Sequence, residues 1–153
     1  MTRTPYAGVG ARVTPERTLC LMRDAAALLD SKGYLLRSGG ADGADMAFAL
    51  GTENKEIFTA QDATAAARFH AARFYPAWDR LSRYVQNLMA RNSMIMLGRN
   101  LNDPVRFVLC WTERGQVIGG TGQALRIAAA YEIPVMNFAS HSEEFIAEVL
   151  RRV

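Results

Sequence analysis

The chain alternates short apolar runs with longer segments whose apolar residues return at helical spacing. Residues 6–8 form a short strand that runs into Gly10-Ala11-Arg12. Thr14-Pro15-Glu16 then has the form of a helix start, with threonine as the cap and proline at the first helical position. The helix that follows carries Leu19, Met22, Ala26 and Leu29 on one face and stops at Gly33. A second strand over residues 34–36 feeds a glycine turn, and residues 44–50 form a second helix closed by Gly51.

Residues 56–58 are a weaker third strand, and residues 61–74 have helical spacing. A longer helix starts at Pro76, with Leu81, Val85, Leu88 and Met96 on its apolar stripe. Asp103-Pro104 ends it before VRFVLCW, a continuous apolar run of the kind found in central parallel strands. The loop ERGQVIGG leads to a helix over residues 121–131, a strand over 133–137 and a closing helix over 142–151. Strands that alternate with helices require right-handed crossovers and a parallel sheet covered on both faces. The expected fold class is therefore α/β: a Rossmann-like, open, mostly parallel five-stranded sheet with helices on both faces, in a single domain over residues 1–153.

Composition agrees with a packed core, since half of the 153 residues are hydrophobic (50%). No apolar run approaches the roughly 20 residues that span a bilayer, and MTRTPYAGVG lacks the apolar stretch of a signal peptide. The expectation is a cytoplasmic protein away from membranes. Cys20 and Cys110 lie in apolar stretches and are expected to be reduced core residues. The net charge is +3, and apart from Lys32 and Lys55 the side-chain cations are arginines, whose planar fork suits phosphate. A coding bias toward arginine accounts for the same composition.

The glycines concentrate in three strand-to-helix loops: GVGAR with Gly8 and Gly10, SGGADGAD with Gly39, Gly40 and Gly43, and IGGTGQA with Gly119, Gly120 and Gly122. In an open parallel sheet all such loops lie at the carboxyl edge, where ligands bind. Glycine allows close approach to the amides, and a helix amino terminus attracts anions. Holding phosphate is the chemistry these parts suit best, although each glycine taken alone explains no more than a tight turn. Two familiar sites are excluded. Val13 stands where the third dinucleotide-binding glycine belongs, the second strand ends in Arg37-Ser38 without a ribose-binding acid, and none of the loops carries a Walker lysine.

Taken together, GVGAR, LRSGGADGADMAFALG, VRFVLCWT, GGTGQALRIA and IPVMNF resemble the SLOG superfamily, the Rossmann-like group that includes DprA, a DNA-processing recombination mediator, and the Lonely Guy phosphoribohydrolases. The likeness covers nearly the whole chain and is greatest to small stand-alone members, often found in phages and mobile elements. It implies a nucleotide-type pocket holding phosphate across the three loops. Two departures qualify it. Lonely Guy enzymes place a glutamate just after their PGG-x-GT motif, whereas Gly119-Gly120-Thr121-Gly122-Gln123 is followed here by Ala124, Leu125 and Arg126. DprA proteins are larger and hold single-stranded DNA on extended surfaces.

Among the side chains, Arg12 and Arg37 are placed to clamp phosphate or to pair with surface acids. Ser38 and Thr121 offer hydroxyls to phosphate or cap helices. Asp45 either holds the glycine loop's own amides, complements a helix dipole, or accepts from a sugar hydroxyl; in an enzyme it is the candidate acid. Asp42 is a turn residue. Arg91 and Asn92, which interrupt the apolar stripe of LMARNSMIMLG, are assigned to the pocket rim by resemblance, with an asparagine satisfied in helix packing as the alternative. Trp111 stacks on a base or fills the core, and Met89, Met94 and Met96 fill the core. His70 and His141 are isolated and expected on helix surfaces, with no metal cluster. The leading expectation is binding of a nucleotide or nucleotide-derived ligand, for sensing or sequestration and without a cofactor. N-glycosidic hydrolysis or transfer on a nucleotide is the enzymatic alternative, and DprA-like single-stranded DNA binding is the third. Pairing with a second copy through residues 78–97 stays open.

Overall fold

The computed structural model describes residues 2–153. Five strands form one sheet: β1 (Thr4–Gly10), β2 (Tyr34–Ser38), β3 (Lys55–Ile57), β4 (Val108–Trp111) and β5 (Val135–Asn137). Their order across the sheet is β3-β2-β1-β4-β5, and every neighbouring pair is parallel. The helices that connect and cover them are α1 (Glu16–Ser31), α2 (Ala44–Leu50), α3 (Ala65–Ala72), α4 (Arg83–Leu97), α5 (Gly119–Ala130) and α6 (Glu143–Arg152). This is the open Rossmann-like architecture expected from the alternation of strands and helices.

Side chains that alternate along the central strands sort the core into two layers. Tyr6, Leu36 and Leu109 join Met22, Leu29, Phe48, Ile146 and Leu150 beneath α1, α2 and α6. Ala7, Val9, Val108 and Cys110 join Ala67, Met94 and Ile127 beneath α3, α4 and α5. Both faces of the sheet are therefore apolar, which is why VRFVLCW shows no polar alternation. From β1 the chain moves outward through β2 and β3, then returns to β4 on the other side of β1. The loops that leave β1 and β4 diverge, and a crevice opens between them at the carboxyl edge.

Local capping accounts for the departures from the expected elements. Residues 61–74 are not one helix: Thr59 and Asp62 box a 3₁₀ turn (Ala60–Asp62), and Thr64 Oγ1 accepts from the Ala67 amide (3.1 Å) to start α3. Pro76 likewise starts no long helix, because Ala77 takes a left-handed φ of 57° and Ser82 caps α4 by accepting from the Val85 amide (3.2 Å). Thr14 does not cap α1; its hydroxyl turns back to donate to the Ala11 carbonyl (2.6 Å) and Pro15 occupies the cap position.

Cys20, expected in the core, is exposed, while Cys110 is buried as expected. Its neighbours Leu19 and Met22 own the apolar stripe of α1, and Cys20 falls beside it. His70 reverses the surface assignment: it lies one turn after buried Ala67, with Nδ1 2.8 Å from Ser93 Oγ and Nε2 2.8 Å from Tyr131 Oη. Among the described residues no helix is long and apolar enough to cross a membrane.

Candidate functional site

A cavity of about 460 Å³ occupies the crevice between β1 and β4. One wall is the loop after β1, from Gly10 to Val13; the facing wall is Ile118 to Thr121 at the start of α5. Thr112 and Glu113 close the side below β4, and Leu88, Met89, Arg91 and Asn92 of α4 form the floor. Asp45, in the first turn of α2, reaches the same space.

α5 begins at Gly119, two residues before the expected start, with Ile118 at the cap position and no side chain capping it. Among the described residues the amides of Gly119, Gly120 and Thr121 have no acceptor, whereas the Gly122 amide donates to the Ile118 carbonyl (2.8 Å). Three donors and the positive end of a twelve-residue helix therefore face the cavity. Thr121 is not a cap, so its hydroxyl is a wall group. The asparagine beneath it fixes this end of the helix. Asn92 Nδ2 donates to the Gly120 carbonyl (3.2 Å) and to Gln123 Oε1 (3.0 Å), and Gln123 Nε2 donates to the Ala71 carbonyl (3.4 Å). Gln123 is fully buried, so it stands behind Asn92 rather than on the wall.

The second glycine loop is closed on itself. Asp45 is 4% exposed, and its Oδ2 accepts from the Ala41 amide (3.3 Å), with the Gly10 and Gly39 amides also holding the charge. Burial nevertheless outweighs these donors and the attraction of Arg91, and pushes the carboxyl up to about 6. Arg91 Nη1 donates to the Gly39 carbonyl (2.7 Å), and its buried Nε has no partner among the described residues. Burial holds the guanidinium below the ordinary arginine range, with Arg12 nearby acting in the same direction against Asp45. A Cβ on Gly39 would lie 2.7 Å from Arg91 Cζ and 2.8 Å from Asp45 Oδ2, so the acid and base approach each other only across a bare backbone. Gly43 has φ +85 and packs against the Ala11 and Arg12 carbonyls, which ties the second loop to the first.

Gly10, Arg12, Asp45, Arg91, Asn92, Gly119, Gly120 and Thr121 thus converge on one cavity. The structure puts other candidates elsewhere. Arg37 is 4% exposed and fully engaged: Nε donates to Glu56 Oε1 (3.1 Å), Nη2 to Asp103 Oδ2 (2.6 Å) and Nη1 to the Asp103 carbonyl (2.6 Å). It ties the segment after α4 to β2, which is the ion-pair alternative to a phosphate clamp. Ser38 donates to the Gly8 carbonyl (2.6 Å), and Gly8 is packed where a Cβ would strike Phe48. Gly39, Gly40, Gly43 and Gly122 do not line the cavity.

Glu113, Thr112, Leu88 and Ile118 were missed as site residues. Position carried a signal for the first two, because they follow the central strand directly and must emerge at the carboxyl edge. Leu88 shares a helix face with Asn92, four residues on. Trp111, by contrast, packs against the core beneath α1 and α2. No known protein family matches this chain, and no curated protein or solved structure does so either.

Proposed function

We propose that the protein binds a nucleotide or nucleotide-derived ligand in the β1–β4 cavity, for sensing or sequestration. The observation that carries this reading is the uncapped start of α5, whose three free amides meet Arg12 and Arg91 on the wall of one cavity. A phosphate at that helix end gains amide donors, the helix dipole and two guanidinium charges at once. Val9, Val13, Leu88, Met89 and Ile118 give the rest of the wall an apolar character suited to a base. The reading agrees with the superfamily of DprA and Lonely Guy proteins that the loop motifs resemble.

Calorimetry with pyrophosphate, nucleoside mono- and diphosphates, ADP-ribose and a single-stranded oligonucleotide tests it. Binding of phosphate-bearing small molecules is expected, and Arg12→Ala should weaken it by about tenfold or more, as loss of a charged hydrogen bond does. Arg12 is exposed, so the variant keeps its fold. Failure of every small phosphate compound to bind the wild type sinks the reading.

Asp45, a buried carboxyl on the cavity wall, favours a second reading, N-glycosidic cleavage or transfer, in which its ionised form stabilises a cationic sugar. Release of free base from a nucleoside monophosphate would support it. Activity that survives in Asp45→Asn would remove this residue from the chemistry.

A further inference from the structure

We propose that Glu113 is the specificity-determining residue of the cavity, selecting ligands whose sugar carries a free 2′-hydroxyl; this rests on the nucleotide-binding reading above. Among the described residues, Asp45 and Glu113 are the carboxylates on the cavity wall. Asp45 is buried, its Oδ2 accepts from the Ala41 amide, and the Gly10 and Gly39 amides also hold its charge. Glu113 is exposed, and its carboxylate makes no hydrogen bond or ion pair with another described residue. An ionised carboxylate only accepts hydrogen bonds and repels phosphate. The part of a nucleotide that suits it is the sugar, whose hydroxyls donate.

The backbone holds Glu113 at this position. Asn137 on β5 grips the end of β4 from two sides: its Nδ2 donates to Thr112 Oγ1 (2.7 Å) and its Oδ1 accepts from the Thr112 amide (3.3 Å). The turn that follows closes with the Gly115 amide donating to the Thr112 carbonyl (3.0 Å). Arg114, between them, is held in the left-handed region at φ 56°, an uncommon conformation for a residue other than glycine. A strained turn, locked to the neighbouring strand, sets Glu113 on the cavity wall.

The usual place for a ribose-binding acid in this architecture is the end of the second strand. Here that position holds Arg37, tied to Glu56 and Asp103 and turned away from the cavity. Glu113 approaches from the other side of β1, so sugar recognition passes from β2 to β4. Phosphate at the start of α5 and sugar at Glu113 give the ligand a fixed direction.

Calorimetry with adenosine monophosphate, its 2′-deoxy form and inorganic phosphate, on the wild type and on Glu113→Ala and Glu113→Gln, tests the assignment. The wild type should prefer the ribonucleotide by about tenfold or more, as expected for a hydrogen bond to a charged group. The preference should vanish in Glu113→Ala and shrink in Glu113→Gln, which keeps an acceptor but not the charge. Both variants should bind inorganic phosphate at least as tightly as the wild type, a pattern that loss of structure does not produce. Equal binding of the ribo and deoxy forms by the wild type, or an unchanged preference in Glu113→Ala, overturns the role of Glu113 and leaves the phosphate site standing. If none of the three ligands binds the wild type, the role of Glu113 falls, and the nucleotide reading is decided separately by the wider panel of phosphate compounds.

Discussion

A carboxyl group taken out of water resists ionisation, and at Asp45 that resistance prevails over three amides and a guanidinium. The sign of the consequence is opposite to that of an ordinary salt-bridged aspartate. With the folded group at about 6 and the unfolded one near its ordinary value of about 3.9, the folded chain binds the proton more tightly. Asp45 therefore contributes most to stability below about pH 4, and the contribution declines as pH rises through about 6. The shift corresponds to roughly 3 kcal/mol at most. Denaturant melts of the wild type and Asp45→Asn across this range should show the wild type gaining on the variant as pH falls; a constant difference would mean that Asp45 does not titrate there. The sequence named Asp45 as the residue on which the binding and enzyme readings divide. Its burial was not legible, because it depends on Gly39 admitting Arg91 from a helix far along the chain.

At the scale of elements, the start of α5 owes its position to α4. Asn92 is the tie: removing its amide leaves the buried Gln123 Oε1 without its donor and takes from the Gly120 carbonyl its link to α4. Asn92→Ala should cost about 1–3 kcal/mol in urea melts, the penalty of unsatisfied buried polar groups. It should also speed hydrogen exchange in the first turn of α5, while exchange in β1 and β2 follows only the global loss of stability. Element types and order were legible from hydrophobic period, since apolar stripes and runs follow directly from which faces are buried. The breaks were not. Asp62 accepts from the Thr59 amide, and Thr64 and Ser82 accept from the Ala67 and Val85 amides; each such bond divides a helical pattern, and periodicity is blind to this competition.

Across the whole molecule, His70 and Asp45 set opposing trends with pH. Burial, with Arg73 acting in the same direction, lowers the pKa of His70, which bridges α3, α4 and the end of α5 as it meets Ser93 and Tyr131. A histidine that folds neutral contributes stability above its unfolded value of about 6.5 and loses it as pH falls through the lower folded value. Asp45 gains over part of the same range, so the wild-type profile should be flatter than that of His70→Gln, from which the acid-side loss is gone. A variant profile parallel to the wild type would exclude His70 as a titrating group. Strand order belongs to this scale too. That β4 returns to the far side of β1 cannot be read from any local pattern, yet it creates the crevice in which residues from three strand-to-helix loops and α4 meet.

The same order leaves β3 and β5 at the two margins of the sheet, each only three residues long. A margin that short presents few unpaired backbone groups, and a second chain finds almost no ladder on which to extend itself. Among the described residues, the native sheet offers fibril growth no ladder beyond these two short margins. Such growth must begin from chains that have already opened, which makes resistance to aggregation a property of how rarely this protein unfolds.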